Sequence, residues 1–91
     1  MLRVGTVGTS SIMRTIQEAI RLTDGMECRV VYSRTEEQGR ALAAEMGVPE
    51  HCTDYAAMLE RSDLDLIDIA SPNRFHVEQA LAALEHGKHV I

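Results

Sequence analysis

The sequence predicts an α/β protein built on a doubly wound parallel sheet. Three observations predict it. Short apolar runs rich in valine, leucine and isoleucine alternate with segments whose apolar residues recur every 3.6 positions. Turn residues (Gly, Ser, Asn, Asp or Pro) punctuate the junctions. The alternation fills all 91 residues without repeats, low-complexity stretches or linkers, so one domain over 1–91 is expected. Strand–helix alternation implies right-handed crossovers and a sheet covered on both faces. For that pattern the leading strand order is 3-2-1-4-5.

Each element has its own warrant. Leu2 to Val7 is a short valine-rich run closed by Gly8, hence a buried strand. Thr9-Ser10-Ser11 are good N-cap residues. Ile12, Met13, Ile16, Ala19 and Ile20 then follow a helical period, which should stop near Asp24-Gly25. Cys28 to Tyr32 is the second strand. Thr35-Glu36-Glu37-Gln38 matches a capping box, with two acids suited to the helix dipole. Ala41, Leu42 and Met46 give that helix an apolar side, and Gly47 with Pro49 stops it. His51 to Thr53 is a very short strand, and Asp54 caps a helix through Leu59. Leu64 to Ala70 is the fourth strand. Asn73 caps a last helix whose apolar side is Val77, Ala80, Leu81 and Leu84. Gly87 ends it, and Lys88 to Ile91 begins a fifth strand.

Composition excludes several function classes. The net charge is −5 and the pI about 5.2, with eight arginines and one lysine scattered along the chain. Nucleic-acid binding requires a concentrated positive face, and none is encoded. No apolar run approaches the roughly 20 residues of a membrane helix. The start, Met1-Leu2-Arg3-Val4-Gly5, lacks the features of a signal peptide. Cys28 and Cys52 are therefore expected as reduced thiols in a cytoplasmic protein. No CxxC is present, and His86 and His89 straddle a helix stop, so no metal site is expected.

The chemistry is expected beyond the carboxyl ends of the strands, where strand order reverses between the first and fourth. The first turn there, Gly8-Thr9-Ser10-Ser11, compares with the dinucleotide pattern G-x-G-x-x-G, but only Gly8 is glycine. Ser10 places a hydroxyl where a pyrophosphate would approach the backbone, and that hydroxyl can itself donate to a phosphate oxygen. Met13 is large where close helix packing wants a small residue. Read without a ligand, Gly8 is a turn and the serines are caps. An acid expected roughly 20 residues past the motif would hold ribose hydroxyls. The chain has Ser33 there, followed by Arg34. Loss of the carboxylate removes repulsion of a 2′-phosphate, and arginine offers it a planar, multi-donor partner. The pair thus points to NADP over NAD. Asp68, inside the fourth strand, reads as a paired structural acid rather than a catalytic one.

Two long stretches carry a resemblance. They are Ala70-Ser71-Pro72-Asn73-Arg74-Phe75-His76 and Ala80-Leu81-Ala82-Ala83-Leu84-Glu85-His86-Gly87-Lys88-His89-Val90-Ile91. With Arg3 to Ile12 and Val31-Tyr32-Ser33-Arg34, they resemble the N-terminal Rossmann-like domain of the Gfo/Idh/MocA oxidoreductases. The resemblance implies a nicotinamide-dependent oxidoreductase acting on a sugar, a polyol or a related hydroxy compound. It places cofactor binding on Gly8, Thr9, Ser10, Ser11 and Ile12, on Ser33 and Arg34, and on Ser71, Pro72, Asn73 and His76. The family's catalytic lysine, in a Glu-Lys-Pro setting, would lie beyond Ile91, and the substrate domain is absent from this sequence. The chain is therefore expected to be a cofactor domain cut in or after the fifth strand. Alone, it should bind NADP(H) in preference to NAD(H) without turnover. Lys88 would lie at the wrong end of the sheet to replace the missing lysine. The unfinished strand leaves an open apolar edge on which a second copy is expected. The non-enzyme alternative is a nucleotide-sensing module, which would look the same over these residues.

Overall fold

A computed structural model describes every residue except Pro72, and every side chain except those of Pro72, Asn73 and Arg74. Its elements are β1 (Leu2–Val7), α1 (Ser11–Leu22), β2 (Met26–Tyr32), α2 (Glu36–Met46), β3 (Glu50–Cys52), α3 (Tyr55–Leu59), β4 (Leu66–Ile69), α4 (Asn73–Glu85) and β5 (His89–Val90). The strands form one parallel sheet in the order β3-β2-β1-β4-β5. This is the expected Rossmann-like order. β1 and β4 are neighbours in the sheet but far apart in sequence, so the turns after them meet.

The sheet is covered on both sides, which is why its central strands read as continuous apolar runs. On one side Val7, Val30, Ile67 and Ile69 pack with Met58 and Leu59 of α3 and Ala83 of α4. On the other, Val31 packs with Met13 of α1 and with Leu42 and Ala43 of α2. Val4 and Leu66 meet Ile20 of α1 on that same side. Full burial of a side chain of this size is worth about 1.5–3 kcal/mol. One polar pair interrupts the second layer: Gln17 of α1 donates from Nε2 to the Thr6 hydroxyl at 2.7 Å, both residues being buried. A buried amide left without such a partner would oppose folding.

Four local expectations are corrected. Ile12 is 65% exposed, and the buried residues of α1 are Met13, Gln17 and Ile20. In α2 Ala41 is exposed, while Gly39, Leu42 and Ala43 are buried. Thr35 occupies the N-cap of α2 with extended backbone, yet its side chain makes no capping bond. Its carbonyl accepts the Gly39 N–H of the helix at 3.2 Å and also the Ser33 hydroxyl, so the loop is tied from the strand side as well. In α4 the sheet-facing residues are alanines. Ala83 is fully buried, with Ala80 and Ala82 packed against the core, while Val77, Leu81 and Leu84 are 54–65% exposed. Small side chains let α4 lie close to the sheet and turn its larger stripe outward. By contrast, Asp54 caps α3 as expected, accepting the Ala57 N–H at 3.1 Å.

Candidate functional site

A cleft of about 470 Å³ opens at the carboxyl ends of β1, β2 and β4. This lies within the usual size of small-molecule sites. The strand ends beneath it are lashed together. Gly8 N–H donates to the Tyr32 carbonyl at 3.0 Å, and Ala70 N–H donates to the Val7 carbonyl at 2.9 Å. Gly8 has φ +111°, and a β-carbon there would stand 2.6 Å from the Ala70 carbonyl oxygen. Only glycine fits that conformation and that contact together.

The first wall runs from Val7 through Gly8, Thr9 and Ser10 into α1. Ser10 is the N-cap residue, but its hydroxyl makes no capping bond to the helix. First-turn amides of a helix have no intrahelical acceptor, and the helix dipole favours an anion before them. The Arg14 guanidinium donates to the Thr9 carbonyl at 3.1 Å and pairs with Glu45 of α2 at 3.0 Å. It thereby braces the turn against the neighbouring helix.

The second wall is Tyr32, Ser33 and Arg34 with Gln38 of α2. Ser33 is buried, and its N–H donates to Cys52 of β3 at 3.1 Å. A β-carbon on Gly39 would stand 2.6 Å from the Ser33 hydroxyl oxygen, so a glycine lets α2 close over the strand end. The third wall is Ala70 and Ser71 with Phe75 and Gln79 of α4. The Ser71 hydroxyl donates to the Gln79 side-chain oxygen, and the Tyr55 hydroxyl donates to the Gln79 carbonyl at 2.7 Å. Burial pushes the Tyr55 phenol up to about 12, so it remains a donor at all ordinary pH. The Arg34 guanidinium lies over the Phe75 ring at 5.4 Å, joining the second and third walls.

The cleft gathers Gly8, Thr9, Ser10, Ser33, Arg34 and Ser71 of the residues singled out from sequence. Ser11, Ile12 and His76 are not among its lining residues: Ser11 and Ile12 are exposed, and His76 is half-buried in the first turn of α4. Pro72 and the Asn73 side chain lie outside the described residues. Sequence reasoning missed Tyr32, Gln38, Phe75 and Gln79. Phe75 and Gln79 are spaced four apart on one helix, a signal that they share a face. Asp68 lies in register with Thr6 and is not among the lining residues, and burial pushes its carboxyl up. Lys88 Nζ donates to the Arg61 and Leu64 carbonyls, which precede β4, at the end of the sheet opposite the cleft.

The model of the oxidoreductase family GFO_IDH_MocA, NAD-binding Rossmann fold, matches residues 2–91. The chain belongs to this family. A curated Gfo/Idh/MocA relative, scyllo-inositol 2-dehydrogenase (NADP(+)) IolU of Bacillus subtilis, is 33% identical over 91 residues. The match covers 100% of this chain and 28% of that protein. Among solved structures, KijD10, a 3-ketoreductase from Actinomadura kijaniata in complex with NADP, superposes with a TM-score of 0.91 at 30% identity. It is covered to 28%, and this chain to 99%. Levoglucosan dehydrogenase with NADH and levoglucosan gives 0.86 at 26% identity, with 98% of this chain and 26% of that one covered. The chain thus spans little more than a quarter of the length of the proteins it matches. The cleft fits a dinucleotide on its own geometry: a tight turn at Gly8 packed against the Ala70 carbonyl, where no side chain fits, a helix start for the pyrophosphate, and a flat aromatic and a guanidinium beside it.

Proposed function

We propose that residues 1–91 form the dinucleotide-binding domain of an oxidoreductase that acts on a sugar, a polyol or a related hydroxy compound, and that the domain favours NADP(H). The observation that carries this reading is the cleft itself. It sits where strand order reverses, with Gly8 against Ala70 and the start of α1 beside it. A bound nicotinamide supplies hydride transfer. This chain's residues bind and orient it: the backbone of Gly8 to Ser11 takes the pyrophosphate, Ser71 and His76 flank the nicotinamide side, and Pro72 and Asn73 belong to the same cofactor-binding stretch of sequence. Ile12, exposed in the first turn of α1, follows the Gly8 to Ser11 backbone. The preference for a 2′-phosphate is supported by Ser33 in place of an acid and by the Arg34 guanidinium beside it. The chain by itself binds without turnover, because its single lysine is held at the far end of the sheet. A second copy pairs on the free edge of β5.

The test is titration of the 91-residue chain with NADPH and NADH, followed by nicotinamide fluorescence. The chain has no tryptophan to interfere. Tighter NADPH binding supports the reading. Equal or tighter NADH binding overturns the 2′-phosphate assignment. Absence of both overturns the dinucleotide site, and substrate-dependent NADPH formation overturns binding without turnover.

A further inference from the structure

Helix α1 carries a second stripe besides the one it buries. Met13, Gln17 and Ile20 are buried against the sheet. The charged residues, Arg14, Glu18 and Arg21, share the flank towards α2. Arg14 pairs with Glu45 of that helix at 3.0 Å, Arg21 pairs with Glu18, and Arg21 lines the groove between the two helices. The opposite flank holds Ile12, Thr15, Ala19 and Leu22, all exposed and uncharged, with Ile12 at 65% and Leu22 at 71% exposure. Spaced three, four and three apart, they lie on one face, in the pattern of a helix–helix seam. None of the four lines the cleft.

Beside α1 the sheet presents a bare strip. Ile67, Ile69 and Val90 pack on the side of α3 and α4. Side chains alternate along a strand, so Leu66, Asp68, His89 and Ile91 face the α1 side. Ile91 donates its N–H to the Ile67 carbonyl at 3.0 Å and accepts from the Ile69 N–H at 2.9 Å, which sets it opposite Asp68. Leu66 is buried against Ile20 of α1, and Asp68 is buried as well. One strand further out, His89 and Ile91 are exposed. Helix α1 therefore reaches β4 and stops short of β5. The outcome is a helical ridge with a step next to it.

We propose that this ridge and step are the two halves of one interface, closed by a second copy of the chain about a twofold axis. The copies stack so that each α1 lies between its own sheet and the β5 face of its partner, with the two seams of Ile12, Thr15, Ala19 and Leu22 in contact. A twofold arrangement makes every contact twice, so a modest surface serves both copies. Shape and charge favour a copy of this chain as the occupant. Ridge and step adjoin on one molecule and complement each other. Each copy carries a charge of −5, and like copies repel wherever exposed acids meet. Ridge and step expose no acid: Asp68 is buried, and His89 is their one exposed ionisable side chain. Depletion of charge is what marks the core of an interface. Stacking is separate from pairing along the β5 edge, and it leaves α4, on the other side of the sheet, uncovered.

The experiment is sedimentation of the full chain across a concentration series, for wild type, Ala19→Arg, Leu22→Lys and Leu81→Glu, with circular dichroism to confirm folding. Ala19 and Leu22 are exposed, so their substitutions spare the core, and a lysine in the last turn suits the helix dipole. The expected result is a wild-type dimer whose dissociation constant rises by at least about tenfold in Ala19→Arg and in Leu22→Lys, because each puts an unpaired charge into the seam. In a mixture of labelled and unlabelled chains, intermolecular NOEs should join the Ile12 or Leu22 methyls of one copy to His89 or Ile91 of the other. A wild-type chain that stays monomeric at the highest soluble concentration overturns the stack. A dimer weakened by Leu81→Glu but by neither α1 variant overturns it too, and assigns association to the β5 edge. Should the α1 variants fail to fold, the wild-type NOEs decide: a dimer without contacts between α1 and β5 is not this one.

Discussion

Helices α1 and α4 carry the same kind of sequence signal and come to opposite ends. Each has apolar residues recurring at helical spacing. In α1 the repeat is spent on the interior, where Met13 is fully buried and Ile20 nearly so. In α4 the repeat of Val77, Leu81 and Leu84 faces outward, and the contact with the sheet is made by alanines. Periodicity shows that a helix has an apolar side. It does not show what covers that side, because the covering residues belong to other elements. The two helices also share the cleft. α1 offers its backbone start and α4 offers Phe75 and Gln79, so the deeply anchored helix presents main chain and the shallow one presents side chains.

The sharpest way to break the comparison is to truncate one large residue on each helix. Met13→Ala opens a cavity between α1, Val31 and Leu42 and should destabilise the fold by about 2–5 kcal/mol, measured by urea unfolding. Leu84→Ala removes a similar volume from α4 and should change stability by no more than about 0.5 kcal/mol. Comparable losses at the two sites would show that the α4 stripe is covered. The next effect concerns the polar member of α1's buried face. Thr6→Val takes the hydroxyl acceptor from the Gln17 amide and should cost about 1–3 kcal/mol, whereas Thr6→Val with Gln17→Leu should recover part of it. Additive losses in the double variant would sink the assignment of that cost to the amide.

This contrast also marks what was legible in the sequence. Strand–helix alternation and the positions of the turns follow from patterns local to each segment, and the strand order is the leading arrangement for that alternation; all three appear in the structure as read. Gly8 was legible because a tight strand-to-helix turn needs it. Phe75 and Gln79 were not, because a residue early in a surface-like helix says nothing of the cleft until the β1–β4 neighbourhood is known. The Thr35 capping box fitted its local pattern, yet the Thr35 side chain makes no capping bond; its carbonyl accepts both the Gly39 N–H of the helix and the Ser33 hydroxyl arriving from β2, a contact that helix patterning alone does not reveal. Gln17 is a polar residue of α1, yet it is buried. The Thr6 hydroxyl on the neighbouring strand, together with the Cys28 thiol, makes its burial tolerable.

A smaller effect tests the entry of β4 rather than its cleft end. Asp65 accepts from Arg3 Nε at 3.0 Å and from the Arg3 N–H at 2.9 Å, tying β4 to β1 where neither helix reaches. The Arg3 side-chain bonds, then its N–H, hold the Asp65 carboxyl down to about 2 from its ordinary 3.8. A carboxyl depressed in the folded state stabilises above its unfolded value, and that contribution is lost as pH falls through the folded one. The advantage of wild type over Asp65→Asn should therefore be complete above about pH 4 and vanish towards pH 2. Acid titration followed by circular dichroism checks it, and a difference that persists unchanged to pH 2 contradicts the pairing.

The smallest effect on the fold has the clearest consequence for association. Leu81 lies mid-stripe and 54% exposed, and Ile91, just past β5, is 67% exposed. A charge at position 81 meets no packed neighbour that it must displace, so Leu81→Glu should leave the unfolding midpoint nearly unchanged. If copies pair on the β5 edge, the stripe beside it shares in the contact. The substitution should then shift the monomer–dimer balance towards monomer in light scattering across a concentration series. A wild-type chain that stays monomeric at high concentration removes the edge-pairing proposal. A dimer insensitive to Leu81→Glu but lost on substitution of Ile91 confines the contact to the strand edge and leaves α4 outside it. The outward stripe would then be the price of α4's close approach to the sheet through alanine.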